Sequence, residues 1–489
     1  MDSYFSVQAD YNTVIHQMKS GIGASWHAIE EPIQGHGGSA WGANPRPENE
    51  AAWESIYQHA SWLAMGFCRV ELEQRMYQPQ RDTFTFEGYE MRILYRILDW
   101  CEAHQTDVFL QQMWSNIRWN AHDSLLGSPN SVLKSSPKNL NAFAEGMVAL
   151  VEYLTQVKGY TCIKYLCLTN EPGHAWSWFQ DGEMKPDNLT KALKCVHEKL
   201  KAAGIDLPLA GPDWTDLPEL DESLIDFDPY IGAYDIHSYN ANFDWRKEGF
   251  ASSDWPLGGY PLSTAIERLK DWVQYAHERG KPFFLSEMGS MQFGWGGDHP
   301  GPGRFDAGLK DVQTLIRGMN IGVDAFNRWS FNNRGNLDGQ WQLIDTWNPA
   351  EICLLDQFSP HPNVYYLYGL ISRLTPKGSE VHASEVNGGN DGTYQRIFAA
   401  CIGKNGVKNL YLTNDSAHSF SGLVEWISPD TDPLFVYEVR QDKHSKQVEV
   451  DTTPTPIKRV GNEISLQLAP KSLCIISNIF LSHTDPGIL

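Results

Sequence analysis

Two glutamates follow short apolar runs in this chain. Cys162–Leu168 leads into Thr169-Asn170-Glu171-Pro172, and Pro282–Leu285 leads into Ser286-Glu287-Met288-Gly289. Two carboxyl groups that face each other can share one bond cleavage. One protonates the leaving oxygen, and the other attacks the carbon as a carboxylate. Cleavage of a glycosidic bond needs such a pair and neither a metal nor an organic cofactor. Either glutamate alone reads more simply as a solvated loop acid, so the pair draws its meaning from its neighbours. Phe67-Cys68-Arg69-Val70-Glu71 places Arg69, Glu71 and Glu73 on one side of an extended run, with Val70 and Leu72 on the other. A guanidinium beside a carboxylate favours its ionised form and fixes its orientation. Glu71 and Glu73 therefore read as partners of Arg69 or as sugar-binding groups. His237-Ser238-Tyr239 and Trp329 close two further apolar runs. Trp26 and His27, Trp114 and Asn116, and Trp214 follow three more, where sugar contact and rim packing are equal readings. No Cys/His cluster has zinc spacing, and no Gly-rich phosphate loop precedes a helix. Neither a metal nor a cofactor is expected.

The elements that must position these residues alternate. Short apolar runs at Gly21–Trp26, Phe67–Leu72, Asp107–Gln112, Cys162–Leu168, Leu207–Ala210, Ala233–His237, Pro282–Leu285 and Val323–Trp329 read as strands. Helical patterns separate them at Glu48–Met65, Tyr89–His104, Asn139–Val157, Asn188–Ala203, Leu262–Arg279 and Ala307–Met319. A short helical piece falls near Leu224–Ile231, and Val364–Leu374 reads as a closing helix. This order predicts a (β/α)8 TIM barrel over residues 20–376, with its active site at the C-terminal ends of the strands. Both glutamates sit at such ends.

After Pro376 the helical period stops. Tyr394–Cys401, Asn409–Thr413, Gly422–Ile427, Leu434–Arg440, Ile464–Leu468 and Leu473–Ile479 alternate and are separated by turn residues. Residues 377–489 are expected to form an antiparallel β-sandwich. The opening segment, residues 1–19, carries the alternating run Tyr4–Asp10, which could add a strand to that sandwich.

With its barrel pattern, Asn170-Glu171-Pro172 after the fourth strand and Glu287 after the seventh, the chain resembles the clan A retaining glycoside hydrolases. The resemblance implies that Glu171 is the general acid/base and Glu287 the nucleophile. It implies that Asn170 binds the hydroxyl beside the reacting carbon, that Arg69 holds the nucleophile ionised, and that Tyr239 hydrogen-bonds it. It places the Trp329 indole beneath the reacting sugar and His237 in sugar contact, although a lone histidine is more often structural. For this chemistry Glu171 must rest protonated, raised by Glu287 and by burial, while Glu287 stays ionised. The closing helix, Pro376-Lys377-Gly378-Ser379 and the sandwich are similar to families 30 and 39 of that clan. So is Trp329-Ser330-Phe331 followed by Asp338-Gly339-Gln340-Trp341.

Composition narrows the partners. Lys plus Arg is 39 against 60 Asp plus Glu, a net charge of −21, which disfavours nucleic acid and anionic membrane. The 18 tryptophans favour carbohydrate, although most must serve the core. The eight cysteines form no Cys-x-x-Cys pair, and several lie in apolar runs as buried thiols would. The start MDSYFSVQAD has no basic or apolar leader pattern, and no apolar run is long enough to span a membrane. A cytoplasmic location is the expectation. Asn188-Leu189-Thr190 and Asn414-Asp415-Ser416 fit a glycosylation pattern but read as a helix start and a turn. The expected activity is exo-hydrolysis of β-D-glycosides, or α-L-glycosides of matching geometry, on short substrates. A secreted endo-acting hydrolase, a transglycosylase and a non-catalytic carbohydrate-binding barrel are the alternatives.

Overall fold

A computed structural model describes residues 4–30, 42–126, 135–172, 179–180, 183–184, 187–215, 217–241, 260–291, 303–334, 341–392, 394–441, 448–450, 454–482, 485 and 487. The parallel barrel strands are Gly21–His27, Phe67–Leu72, Asp107–Gln112, Ile163–Cys167, Ala210–Trp214, Ala233–Ala241, Phe283–Met291 and Ala325–Asn332. Each lies beside the next, and the eighth pairs with the first. The fourth and fifth meet through the parallel bridge of Leu166 with Leu209, which closes the ring. The fifth strand starts where the sequence reading ends it, at Ala210.

Helices Glu50–Leu63, Tyr89–Ala103, Leu140–Glu152, Asp187–Ala202, Leu262–Glu278, Phe305–Ile321 and Tyr365–Leu374 cover the barrel. In the first, the Asn49 side chain caps the amide of Ala52, and Trp53, Ile56, Ala60 and Leu63 form the buried stripe. The helical piece expected at Leu224–Ile231 is instead two 3-10 turns, Glu222–Leu224 and Asp228–Tyr230. Pro229 lies at the start of the second, where it has no amide hydrogen to give a longer helix. Among the described residues no helix is long and apolar enough to cross a membrane.

The barrel interior is layered. Phe67, Phe109, Tyr165, Cys167, Ala210, Ala233, Phe284 and Ala325 form an apolar floor, with aromatics from some strands filling the space left by alanines on others. Two residues further along their strands come Arg69, Gln111, Asp235, Ser286 and Asn327, all fully buried. The site is built on this polar layer. Strict alternation breaks in two places. On the fifth strand Pro212 pairs with Asp235 but Trp214 pairs with Ile236. On the seventh, Leu285 pairs with Ile236 but Glu287 pairs with His237. Each slip inserts one residue, and such a bulge re-aims the side chains beyond it.

The C-terminal strands do more than the expected antiparallel sandwich. They join one ten-stranded sheet, and Tyr4–Gln17 lies inside it. That strand is antiparallel to Glu380–Gly388 and parallel to Phe420–Ile427, so the sheet is mixed. Phe5, Val7, Ala9, Leu412, Val424 and Trp426 belong to its own core. Tyr411, Tyr437 and Ile475 pack into the barrel's core instead. Neither Glu380–Gly388 nor the hairpin of Ile344–Asn348 with Cys353–Pro360 is foreseen in the sequence reading. Cys68, Cys101, Cys162, Cys167, Cys401 and Cys474 are buried free thiols. In the two glycosylation patterns, Asn188 is buried in a helix, and the Asn414 amide is spent on the carbonyls of His418 and Ala469.

Candidate active site

Arg69 organises the strand ends. Its Nη1 donates to Glu287 Oε2 at 2.5 Å and to Glu71 Oε1 at 2.6 Å. Its Nη2 donates to Asn170 Oδ1 at 2.6 Å, and its Nε to Gln111 Oε1 at 3.2 Å. Its backbone amide is held by Asn327 Oδ1 at 3.1 Å. Such a fully buried guanidinium is tolerable only when its donors meet acceptors and its charge is paired. Tyr239 donates its hydroxyl to the other oxygen of Glu287. Both oxygens of that carboxylate therefore accept fixed donors.

Glu171 faces a second network. His237 Nδ1 lies 2.8 Å from Glu171 Oε1, and its Nε2 lies 2.9 Å from Asp213 Oδ1. Asp213 Oδ2 accepts the Glu171 backbone amide at 3.0 Å and Gln111 Nε2 at 2.9 Å. Glu171 and Asp213 both have left-handed backbones, with φ of 50° and 57°. That conformation costs a non-glycine residue about 1–2 kcal/mol. The bond from the Glu171 amide to Asp213 offsets part of this cost and fixes the acid's direction. One oxygen of Glu171, one oxygen of Glu287 and one His237 nitrogen lie within 4.8 Å of one another. This trio has ligand types that could hold a cation, but a cation there would compete with Arg69 and Tyr239 for Glu287.

Burial and pairing set the charges. Burial alone would lower His237, but the Glu287 and Asp213 carboxylates outweigh it and hold the imidazole well above its usual value. Both nitrogens face carboxyl oxygens, an arrangement that favours the imidazolium form. Burial works against the Asp213 anion too, yet His237 pulls its carboxyl down to about 2. Burial and the neighbouring Asp213 push Asp235 well above the carboxylate range, which favours its neutral form. For Glu287, burial raises the carboxyl against the pull of His237 and Arg69, and the net direction is upward. Arg69 and Tyr239 therefore limit the cost of ionising Glu287 without removing it. Glu71 is lowered, with His27 and Arg69 overcoming its burial.

The structure gathers Arg69, Glu71, Asn170, Glu171, His237, Tyr239, Glu287 and Trp329 at one mouth. The Arg69 guanidinium carbon lies 5.7 Å from the Trp329 ring centre. His27 hydrogen-bonds Glu71 and meets Trp329 edge-on at 4.6 Å. Trp341 packs edge-on against Tyr239 at 5.1 Å. It also lies against Gly289, where an added Cβ would come within 2.3 Å of its Cζ3. The remainder of the stretch cited with Trp341, residues 338–340, lies outside the described residues.

Other sequence candidates go elsewhere. Trp26 points outward into the core beside Trp53, Trp100 and Phe331, and its Nε1 bonds Asn44. Trp114 is part of the same core. Asn116 spends its backbone amide on Gln74, its Nδ2 on Gln78 O and its Oδ1 on the Arg118 amide, so it shapes a loop. Trp214 packs edge-on against Phe227 and Trp272 in the helix layer. Glu73 begins the one-turn helix Gln74–Tyr77 and pairs with Arg75, because the strand ends at Leu72 and alternation stops there. Three members of the site are absent from the sequence reading: Asp213, Gln111 and Asn327. Gln111 and Asn327 lie two residues beyond floor residues Phe109 and Ala325, a signal the sequence does contain.

The sequence matches no protein-family model and no curated protein. Solved structures are similar along nearly the whole chain. A family 30 endoxylanase from Clostridium papyrosolvens C71 aligns with a TM-score of 0.62 at 12% identity, covering 96% of this chain and 99% of its own. An endo-β1,6-glucanase gives 0.61 at 13%, covering 96% and 93%. An α-L-arabinofuranosidase from Thermotoga maritima gives 0.61 at 12%, covering 98% and 100%. At these identities the likeness establishes the fold, a TIM barrel with a β-rich second domain.

Proposed function

We propose that the chain is a retaining glycoside hydrolase with Glu287 as nucleophile and Glu171 as general acid/base. The observation that carries this reading is the approach of the two carboxylates, one oxygen of each within 4.8 Å. Double displacement places the two groups about 5–5.5 Å apart, whereas inversion leaves room for water at about 6.5–9.5 Å. The similar structures include a xylanase, a glucanase and an α-L-arabinofuranosidase, which agrees with a carbohydrate substrate.

In this reading each residue has a step. Arg69 and Tyr239 turn Glu287 so that a carboxylate oxygen meets the anomeric carbon. Glu171 gives its proton to the departing oxygen, and the bond from carbon to that oxygen breaks as the Glu287 ester forms. Water then attacks the anomeric carbon, the bond to Glu287 breaks and frees its carboxylate, and Glu171 takes the water's proton. His237 holds Glu171 through Oε1, and in this reading Glu171 carries the transferable proton. Asn170 accepts Arg69 through its oxygen, so its amide donors are turned to the sugar hydroxyl beside the reacting carbon. Trp329 offers its face to the sugar ring. His27 and Glu71 brace this wall from behind.

The substrates in this reading are β-D-glycosides, or α-L-glycosides of equivalent geometry. Exo-action on short glycosides rests on the expected cytoplasmic location, since polymers do not enter cells. Endo-action is the second reading, favoured by the endo-enzymes among the neighbours. An aryl glycoside screen followed by nuclear magnetic resonance of the first-formed product tests the proposal. Retention of the anomeric configuration is expected. Inversion, or no turnover on any glycoside, overturns it. Product sizes on oligosaccharides separate exo- from endo-action.

A further inference from the structure

At the opposite end of the barrel, three side chains from distant parts of the chain converge. His16 lies on the N-terminal strand Tyr4–Gln17, and His277 in the last turn of helix Leu262–Glu278. Asp324 immediately precedes the eighth barrel strand. The two imidazoles stack at 5.4 Å between centres and 21° between planes. His16 Nε2 lies 3.5 Å from Asp324 Oδ1, and His277 Nε2 lies 2.8 Å from Asp324 Oδ2. One ligand atom from each residue falls within 4.8 Å of the other two.

We propose that His16, His277 and Asp324 bind a divalent transition-metal ion of the zinc type at the barrel floor. Two imidazoles and one carboxylate suit zinc, cobalt or nickel; calcium and magnesium prefer oxygen ligands throughout. Zinc bonds of about 2.0–2.2 Å at tetrahedral angles put ligand atoms roughly 3.3–3.5 Å apart. The His16–Asp324 spacing of 3.5 Å already matches. The closer His277–Asp324 contact has only to open as the ion replaces the proton between them.

Two further observations point to a ligand. His16 Nε2 is buried and has no hydrogen-bond partner. A buried nitrogen without a hydrogen bond is costly, and a metal bond removes that cost. Asp324 is also held from behind, since its Oδ2 accepts the Phe283 amide at 2.9 Å. Outer hydrogen bonds of this kind orient ligating carboxylates. His277 is partly exposed and leaves a side open for water as fourth ligand. The ion would tie the N-terminal strand, and with it the mixed sheet, to the barrel. Binding the folded chain alone, it stabilises that chain by mass action.

The test uses the full chain stripped with a chelator and titrated with zinc chloride by calorimetry. Cobalt(II) absorption reports on coordination, and thermal melting on stability. One equivalent of zinc and a raised Tm are expected for the wild type. His16→Gln and His277→Gln should each weaken zinc binding by at least about tenfold and abolish the Tm rise. Because His277 is partly exposed on a helix, His277→Gln decides alone if His16→Gln fails to fold. Absence of stoichiometric zinc in the wild type overturns the proposal. So does undiminished binding in His277→Gln, which would place the ion elsewhere, as at Glu171, His237 and Glu287.

Discussion

Replacing Asp213 by asparagine keeps shape and removes charge. Three donors converge on this buried carboxylate: His237 Nε2, the Glu171 amide and Gln111 Nε2. An asparagine offers one oxygen and turns its amine towards the remaining donors. At least one hydrogen bond to a charged group is lost, worth about 1.5–3 kcal/mol. If that loss falls on the transition state, kcat/KM drops about 10- to 150-fold. The pH profile should move as well. The Asp213 carboxylate helps to hold His237 above its usual value, so its removal lets the imidazolium lose its proton at lower pH. The alkaline limb of kcat/KM therefore shifts towards acid. Stability carries a separate signature. Asp213 lies at about 2 instead of the ordinary 3.8, so its contribution is present above about 3.8 and fades as pH falls towards 2. At ~1.4 kcal/mol per unit this contribution is about 2 kcal/mol, and the acid-unfolding limb of the variant should be correspondingly shallower. The assay is kcat/KM on an aryl glycoside from acid to mildly alkaline pH, with Tm measured alongside. A variant within about twofold of wild type, with an unmoved alkaline limb, would refute a working role for the His237–Asp213 pair.

Glu287→Ala should lose nearly all turnover on every substrate, and added azide should restore some of it with inverted product, read by nuclear magnetic resonance. Glu171→Ala should spare the first step on dinitrophenyl glycosides, which need little protonation, and azide should speed its second step with retained configuration. If the two variants exchange these signatures, their roles are exchanged. Gly289→Ala drives a methyl into Trp341, 2.3 Å from Cζ3. A loss of about 1–3 kcal/mol in chemical denaturation is expected, together with reduced kcat as Tyr239 shifts. An unchanged melting curve would show that the indole moves aside freely.

The sequence exposes the barrel because its strands must be apolar and its helices amphipathic. Several site positions were legible for the same reason. Phe67, Arg69 and Glu71 follow one face of the second strand, and the structure keeps that alternation. The rule applied to the first strand separates His27 from Trp26, and the structure sends them to opposite faces. Asp213 was not legible by this rule. A bulge shifts the fifth strand by one residue, so Asp213 points inward beside Pro212 while Trp214 turns to the helices. Ending that strand at Ala210 hid the effect. The seventh strand slips in the same way at Glu287, which was found through its neighbours rather than through periodicity. The strand Glu380–Gly388 escaped because only Val381 and His382 are buried, Val386 is half-buried, and Glu385, Asn387 and Gly388 are exposed, so no clean alternation marks it.

The two networks have a common consequence for the reaction. In the proposed roles, Glu287 carries negative charge before the first step and Glu171 carries it afterwards. The total charge of the site is unchanged, but its location moves from one carboxylate to the other. His237 Nδ1 lies 3.6 Å from Glu287 Oε2 and 2.8 Å from Glu171 Oε1, so one fixed cation faces the charge at both ends of that movement. Arg69 favours the starting position, bonded to Glu287 but braced against Glu71. Glu287 and Asp213 both favour the charged imidazole, and Asp213 does so from the side away from the moving charge, while the upward shift of Asp235 disfavours a second anion beneath it. Among buried groups, oriented charges that need not rearrange stabilise the transition state at little reorganisation cost. This explains why the weight falls on Asp213. Without it the imidazolium weakens, and the charge arriving on Glu171 loses the cation that receives it.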